Sequence, residues 1–238
     1  MLSPAHRARL RAAGVGTEAG VDVLGTTDWH VVADGLPAWW HDNGNVLALA
    51  PDAHLPEEVV ASLGIYPVRD VLIAVASPME WLTSLLVGGD GATVFVGEDC
   101  KLTAGEIYCG AASSVVLCGP LTATRSAIVD ARNGGSIVAG PDQLWAADVY
   151  VATDDMHRLE HRTTGERLNP FGAHIRLGAH VWLGRDAVVT GHAEIGDGSV
   201  VGMRSMVRGQ KVPPFTVAAG SPARIVREGV TWSHDDVP

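Results

Sequence analysis

From Leu177 to Val212 the chain counts in sixes: LGAHVW, LGRDAV, VTGHAE, IGDGSV, VGMRSM, VRGQKV. An aliphatic residue opens every block, at Leu177, Leu183, Val189, Ile195, Val201 and Val207, and glycine follows it at Gly178, Gly184, Gly196 and Gly202. A period of six suits neither an amphipathic helix at about 3.6 nor a half-buried strand at about 2. It suits a β-helix, in which one turn of chain is a triangular coil and each block forms one side. The aliphatic side chain points inward and stacks on its equivalents in neighbouring coils. The small residue beside it lets the backbone turn the corner without a Cβ crowding the next coil.

The rest of the chain is compatible with a large folded coil. Hydrophobic residues make up 47% and charged residues 18%, a globular balance. The net charge of −10 speaks against nucleic acid or an anionic membrane as partner, since both need basic surface; a local cationic pocket stays compatible with it. The opening MLSPAHRARLRAAGVG lacks the apolar core of a secretory signal, and no run of about 18 apolar residues is present, so membrane insertion is not expected. Cys100, Cys109 and Cys118 lie in or beside strand-like stretches without a close Cys or His partner. They read as buried thiols of a reduced, cytoplasmic protein.

Three regions follow. Residues 1–90 have mixed patterning, expected to be an N-terminal α/β extension or a distorted first part of the coil. Helices are expected at Pro4–Ala13, Pro56–Leu63 and Met79–Leu86, and strands at Val46–Ala50 and Val71–Ala76. Residues 91–212 form the coil, beginning with irregular segments such as TVFVG, EIYCG and SVVLCG. The polar run 154–174 interrupts it, and a loop that long inside a compact domain is usually functional. Residues 213–238 leave the coil through PPFTVAAGSPARIVREG, with Ser233–Pro238 expected to be a frayed acidic tail. Trp29, Trp39 and Trp40 are either a sugar-stacking surface or core.

The TDDMH segment, HVWLG, EIGDGSVVGMRSMV and VPPFTVAAGSPARIVR together resemble the hexapeptide-repeat acyltransferases of the left-handed β-helix superfamily, most of all the sugar and polysaccharide O-acetyltransferases. The resemblance is specific from about Ile137 to Arg227. It implies transfer of an acetyl group from acetyl-CoA to a small-molecule acceptor, no metal, and a homotrimer with sites between subunits. His157 falls on the family's histidine position, where a neutral imidazole suits removal of a hydroxyl proton at neutral pH. Asp155 would orient its ring. The resemblance places Trp182, Gly184, Arg185, Met203, Arg208, Lys211, Ala218, Ser221, Arg224 and Arg227 along the cofactor, with backbone N–H groups near Gly184 as oxyanion donors. Arg167 and Asn169 fall on its acceptor segment.

The chain departs from the family at Met203, where a small residue is usual, and at Arg208–Lys211, one residue longer than the pattern. His161 is not matched by any family ligand. His174, His180 and His192, with His157, raise a γ-carbonic-anhydrase-like metal lyase as a competing function, although that family's paired spacing is not reproduced. N-acetylation of an amino sugar and a scaffold that has lost its chemistry also stay open. Acceptor choice is expected to rest on the N-terminal region and the 158–174 loop.

Overall fold

Two consecutive strands of each coil meet at a sharp corner, and three such sides close a triangular turn. In a computed structural model describing residues 1–16 and 23–235, the chain winds about seven such turns as a left-handed parallel β-helix. Among the described residues the strands form three sheets of nine, six and seven strands, one per side of the prism. Every strand pair is parallel except one at each end, His30–Val31 on Val46–Leu49 and Arg224–Glu228 on Thr216–Ala219.

The interior is built from ladders of aliphatic residues in register. Ile107, Val129, Val151, Val189 and Val207 stack on one side and Val94, Val115, Ile137, Ile175 and Ala193 on another, all buried. Burial of each such side chain contributes about 1.5–3 kcal/mol, so the stacked core carries the fold. Corners hold the spacing. A Cβ on Gly184 would stand 2.6 Å from the Met203 backbone nitrogen, so this position excludes side chains.

The coil begins well before residue 90. Val46–Leu49 pairs in register with Leu72–Val75, and Leu72–Val75 with Thr93–Val96, in the nine-stranded sheet. Leu82–Val87, expected to be helical, is a strand on Gly105–Cys109, because its apolar residues Leu82, Leu85 and Val87 meet the interior ladder rather than a helix face. The Pro4–Ala13 helix forms as expected, started by reciprocal Ser3–His6 capping and Pro4, and ended by Gly14 in the left-handed region. It packs on the outside of the nine-stranded sheet. Arg9 stitches it there, donating to Thr93 Oγ1 at 2.8 Å and to the carbonyls of Gly91 and Ala92. Trp29 and Trp40 are buried core, which removes them as a sugar-stacking surface. No described helix is long and apolar enough to cross a membrane.

Candidate active site

The long polar run leaves the six-stranded sheet after Ala152 and re-enters the nine-stranded sheet at His174, so it projects from the corner between those two sides. Two buried polar side chains give it a fixed shape. Asp154, 3% exposed, accepts from Asn133 Nδ2 and from the backbone N–H groups of Gly172 and Ala173, tying both ends of the loop to the coil. Asn169, 6% exposed, donates to the His157 carbonyl at 2.8 Å and accepts from the Leu159 N–H at 2.8 Å. These contacts pin the backbone on both sides of residue 157. The His157 side chain is exposed, with no hydrogen-bond partner among the described residues.

The expected neighbours of His157 are otherwise engaged. Asp155 does not meet its ring; the carboxylate accepts from Arg208 Nη2 at 3.1 Å, the cation that the next coils bring to the same corner. Asn169 spends both ends of its amide on the loop backbone. Arg167 donates to the carbonyls of Asn169 and Pro170 and lies over the Phe171 ring at 4.7 Å, so it braces the loop. His161 accepts from the N–H groups of Thr163 and Thr164 at the loop tip.

Trp182 lies elsewhere. It stands 39% exposed on the outer face of the seven-stranded sheet, the side opposite the loop's corner. Register places Leu144, Trp182, Val200 and Val217 in one outward row, with Arg227 beyond Val217 on the closing antiparallel strand. Beside Trp182 the chain turns toward the six-stranded sheet. Here the Gly184 N–H donates to the Val201 carbonyl at 2.8 Å, which removes it as an oxyanion donor. The next N–H, that of Arg185, has no hydrogen-bond partner among the described residues, and its side chain is exposed 4.0 Å from Asp148. Met203 is exposed at the same corner one coil on.

Nine of the ten residues expected to hold the cofactor therefore fall into two groups, and the tenth, Ala218, into neither. Trp182, Gly184, Arg185, Met203, Ser221, Arg224 and Arg227 belong to the seven-stranded side and its corner. Arg208 and Lys211 belong to the loop side, and Lys211 is paired with Glu194. Ala218 is buried at the open end of the interior, where it lines a small cavity of about 130 Å³ with Lys211 and Arg224. The Arg208–Lys211 corner is shorter than its counterpart one coil earlier: Thr190 pairs with Arg208, 18 residues on, but Glu194 pairs with Lys211, 17 on.

The histidines divide in the same way. His174 and His192 have ring centroids 5.6 Å apart on the nine-stranded side, while His180 sits at a different corner beside Asp142. Sequence reasoning missed this last cluster, which includes Trp232 and His234. The one available signal was a tryptophan in the otherwise polar end of the chain.

No family model matches the chain. It is 35% identical over 95 residues to galactoside O-acetyltransferase of Escherichia coli strain K12, a stretch covering 39% of this chain and 44% of that protein. The chain spans about half the length of the curated relatives it matches. Among solved structures it is similar to the polySia specific acetyltransferase NeuO, with a TM-score of 0.60 and 25% identity, covering 71% of this chain and 77% of that one.

Proposed function

The chain belongs with the hexapeptide-repeat acyltransferases of the left-handed β-helix type, and from that premise we propose that it is an acetyl-CoA-dependent O-acetyltransferase acting on a sugar-like hydroxyl. The observation that carries the reading is the pinned loop. Asp154 and Asn169 spend buried hydrogen bonds to fix the backbone around one exposed imidazole, and that investment in a surface histidine suits a base that must be held in place.

In this reading His157 removes the acceptor hydroxyl proton as the oxygen attacks the thioester carbonyl. The Arg185 N–H, which has no partner among the described residues, receives the developing oxyanion. The C–S bond breaks, and the imidazolium returns its proton to the leaving thiolate. Arg224 and Arg227 would meet the phosphates of coenzyme A at the end of the Trp182 row, about 14 Å and three strand spacings away.

His157 and Trp182 lie on opposite sides of one prism, so a complete site takes the loop of one chain and the seven-stranded face of the next. A closed trimer supplies three such sites. The outer face of the six-stranded sheet supports chain–chain contact: Ile128, Tyr150, Val188 and Met206 form one half-exposed row with little charge.

The test is thioester release from acetyl-CoA with methyl galactopyranoside, methyl glucopyranoside and oligosialic acid as acceptors, and glucosamine as the amine control. His157→Ala and His157→Asn should each lower kcat about 10²–10⁴-fold, with coenzyme A affinity little changed. The ascending limb of the pH profile should vanish in both. Preferred transfer to the amine would make the protein an N-acetyltransferase, and undiminished kcat in both variants would remove His157 as the base.

A further inference from the structure

After the closing strand Arg224–Glu228 the chain turns back and runs along the outside of the coil, over the corner between the nine- and seven-stranded sheets. Each corner here presents one residue per coil, and the returning segment is fastened to three of them in order. The Val230 N–H donates to the Phe215 carbonyl at 2.9 Å. The Trp232 indole N–H donates to the His180 carbonyl at 2.9 Å, while His180 Nε2 lies 3.0 Å from the Trp232 carbonyl. His234 Nε2 lies 2.8 Å from Asp142 Oδ1, and the other oxygen of that carboxylate bonds His180 Nδ1. Residues 233–235, expected to be frayed, are thus tied down through His234; residues 236–238 lie outside the described part.

The segment sets one residue with care. The Trp232 ring stacks on the His180 imidazole with centroids 4.0 Å apart and planes within 3°, and His234 meets its edge. A third ring beside it is Trp182, 6.2 Å away at 53°. Two indoles, one of them 39% exposed, therefore make an angled aromatic corner on the outer surface of the seven-stranded sheet. The backbone N–H of Arg185 lies three residues past Trp182, at the other corner of the seven-stranded side, where the chain turns toward the six-stranded sheet. The cations Arg224 and Arg227 lie at the far end of the row, so a donor anchored there would bring its acyl end, and not its phosphates, to this corner.

Resting on the function proposed above, we infer that Trp232 is a specificity-determining residue of the acceptor site. The strap Val230–Asp235 holds its indole beside Trp182 so that the two rings receive the apolar C–H face of a pyranose acceptor. Stacked rings suit this ligand because they offer a wide apolar contact with little conformational freedom to lose. The Asp142–His180–His234 cluster, which has no place in the chemistry, then has a purpose: it latches the strap.

The test uses the full chain and whichever of methyl galactopyranoside, methyl glucopyranoside or oligosialic acid the wild type acetylates. Trp232→Ala should raise the acceptor KM at least tenfold while moving the acetyl-CoA KM less than twofold. Trp232→Phe, which keeps a flat ring, should recover most of the loss and serves if the alanine variant folds poorly. His180→Leu should raise the acceptor KM in the same direction as Trp232→Ala, because the indole loses the imidazole stacked on it and the Trp232 carbonyl loses its contact with Nε2, while the backbone carbonyl at 180 that accepts from the indole N–H remains. Trp81→Ala, exposed just before the strand Leu82–Val87 in the early coils, should leave both constants unchanged. An unchanged acceptor KM in Trp232→Ala, or a rise confined to acetyl-CoA, would overturn the assignment while leaving the enzyme reading intact. A wild type that acetylates none of the three would sink that reading first and this one with it.

Discussion

The early and late coils share one interior but treat their outer surfaces in opposite ways. On the nine-stranded side the outward positions of the early coils are Ala48, Ala74, Phe95, Val116 and Val138, all buried. In register further along the same sheet they become Arg176, Glu194 and Lys211, all exposed. The switch coincides with the reach of the N-terminal helix, whose buried Leu10 and C-terminal Gly14 press on this surface, the latter against Val138. The early coils are thus a covered scaffold, and the late coils carry the loop, the Trp182 row and the strap. Residues 1–16 act as a lid for one sheet.

That division is easiest to break by removing the lid. Leu10→Ala should cost about 2–5 kcal/mol, the usual range for a fully buried leucine, read as a lower denaturant midpoint. Glu194→Ala, on the exposed half of the same sheet, should change stability by less than about 0.5 kcal/mol, since its pair with Lys211 is solvent-screened. Similar losses in both variants would erase the distinction between the two regions.

The three cysteines sharpen it, because all lie in the covered half. Burial raises each thiol: Cys109 is pushed up to about 12 and Cys118 to about 11, with Cys100 higher still. Thiols so raised stay protonated at neutral pH, where the thiolate is the reactive form. A thiol reagent at pH 8 should therefore label Cys100 and Cys109 slowly in the native protein and fast after unfolding. Leu10→Ala should speed the labelling of Cys109, whose Sγ sits under the Thr93 and Ser113 carbonyls. Rapid labelling of the untouched protein would mean that the early coils are open.

This contrast also explains what could be read in the sequence. Six-residue blocks are visible only where a coil takes 18 residues, as from Ile175 to Ala193 or Val189 to Val207. Earlier turns take 21 or 22, as from Val94 to Val115 and on to Ile137, because their corners are longer. The interior ladder is the same, yet the extra corner residues break the count, and Leu82–Val87 reads as a helix. The long loop that carries His157 was legible as a polar interruption of the repeat. The uses of Asp155, Arg167, Asn169 and the Gly184 N–H were not, since each depends on a neighbour brought close by coiling. Trp232 reaches His180 across 52 residues, a contact no local pattern announces.

The smallest expected effect concerns the strap. Partial burial acts to raise the Asp142 carboxyl, but hydrogen bonds from His234 and His180 outweigh it and hold the group below its ordinary value of 3.8. A lowered carboxyl contributes stability that is complete above its ordinary value and lost as pH falls through the lower folded one. Acid below that range should release the strap and alter Trp232 fluorescence while the coil persists. Asp142→Ala should show the released signal already at neutral pH. A wild-type signal unchanged down to the acid unfolding of the coil would mean that Asp142 is no latch.

The central claim is that one site takes its base from one chain and its aromatic face from the next. Mixing His157→Ala chains with Trp182→Ala chains tests it directly, since each variant alone should be nearly inactive. In randomly assembled trimers about a quarter of the sites would pair an intact His157 with an intact neighbouring Trp182. Acetyl transfer by the co-refolded mixture should therefore rise to about a quarter of the wild-type rate. A mixture no more active than either variant alone, with mixed trimers confirmed by mass, would place both residues in a single-chain site and contradict the account.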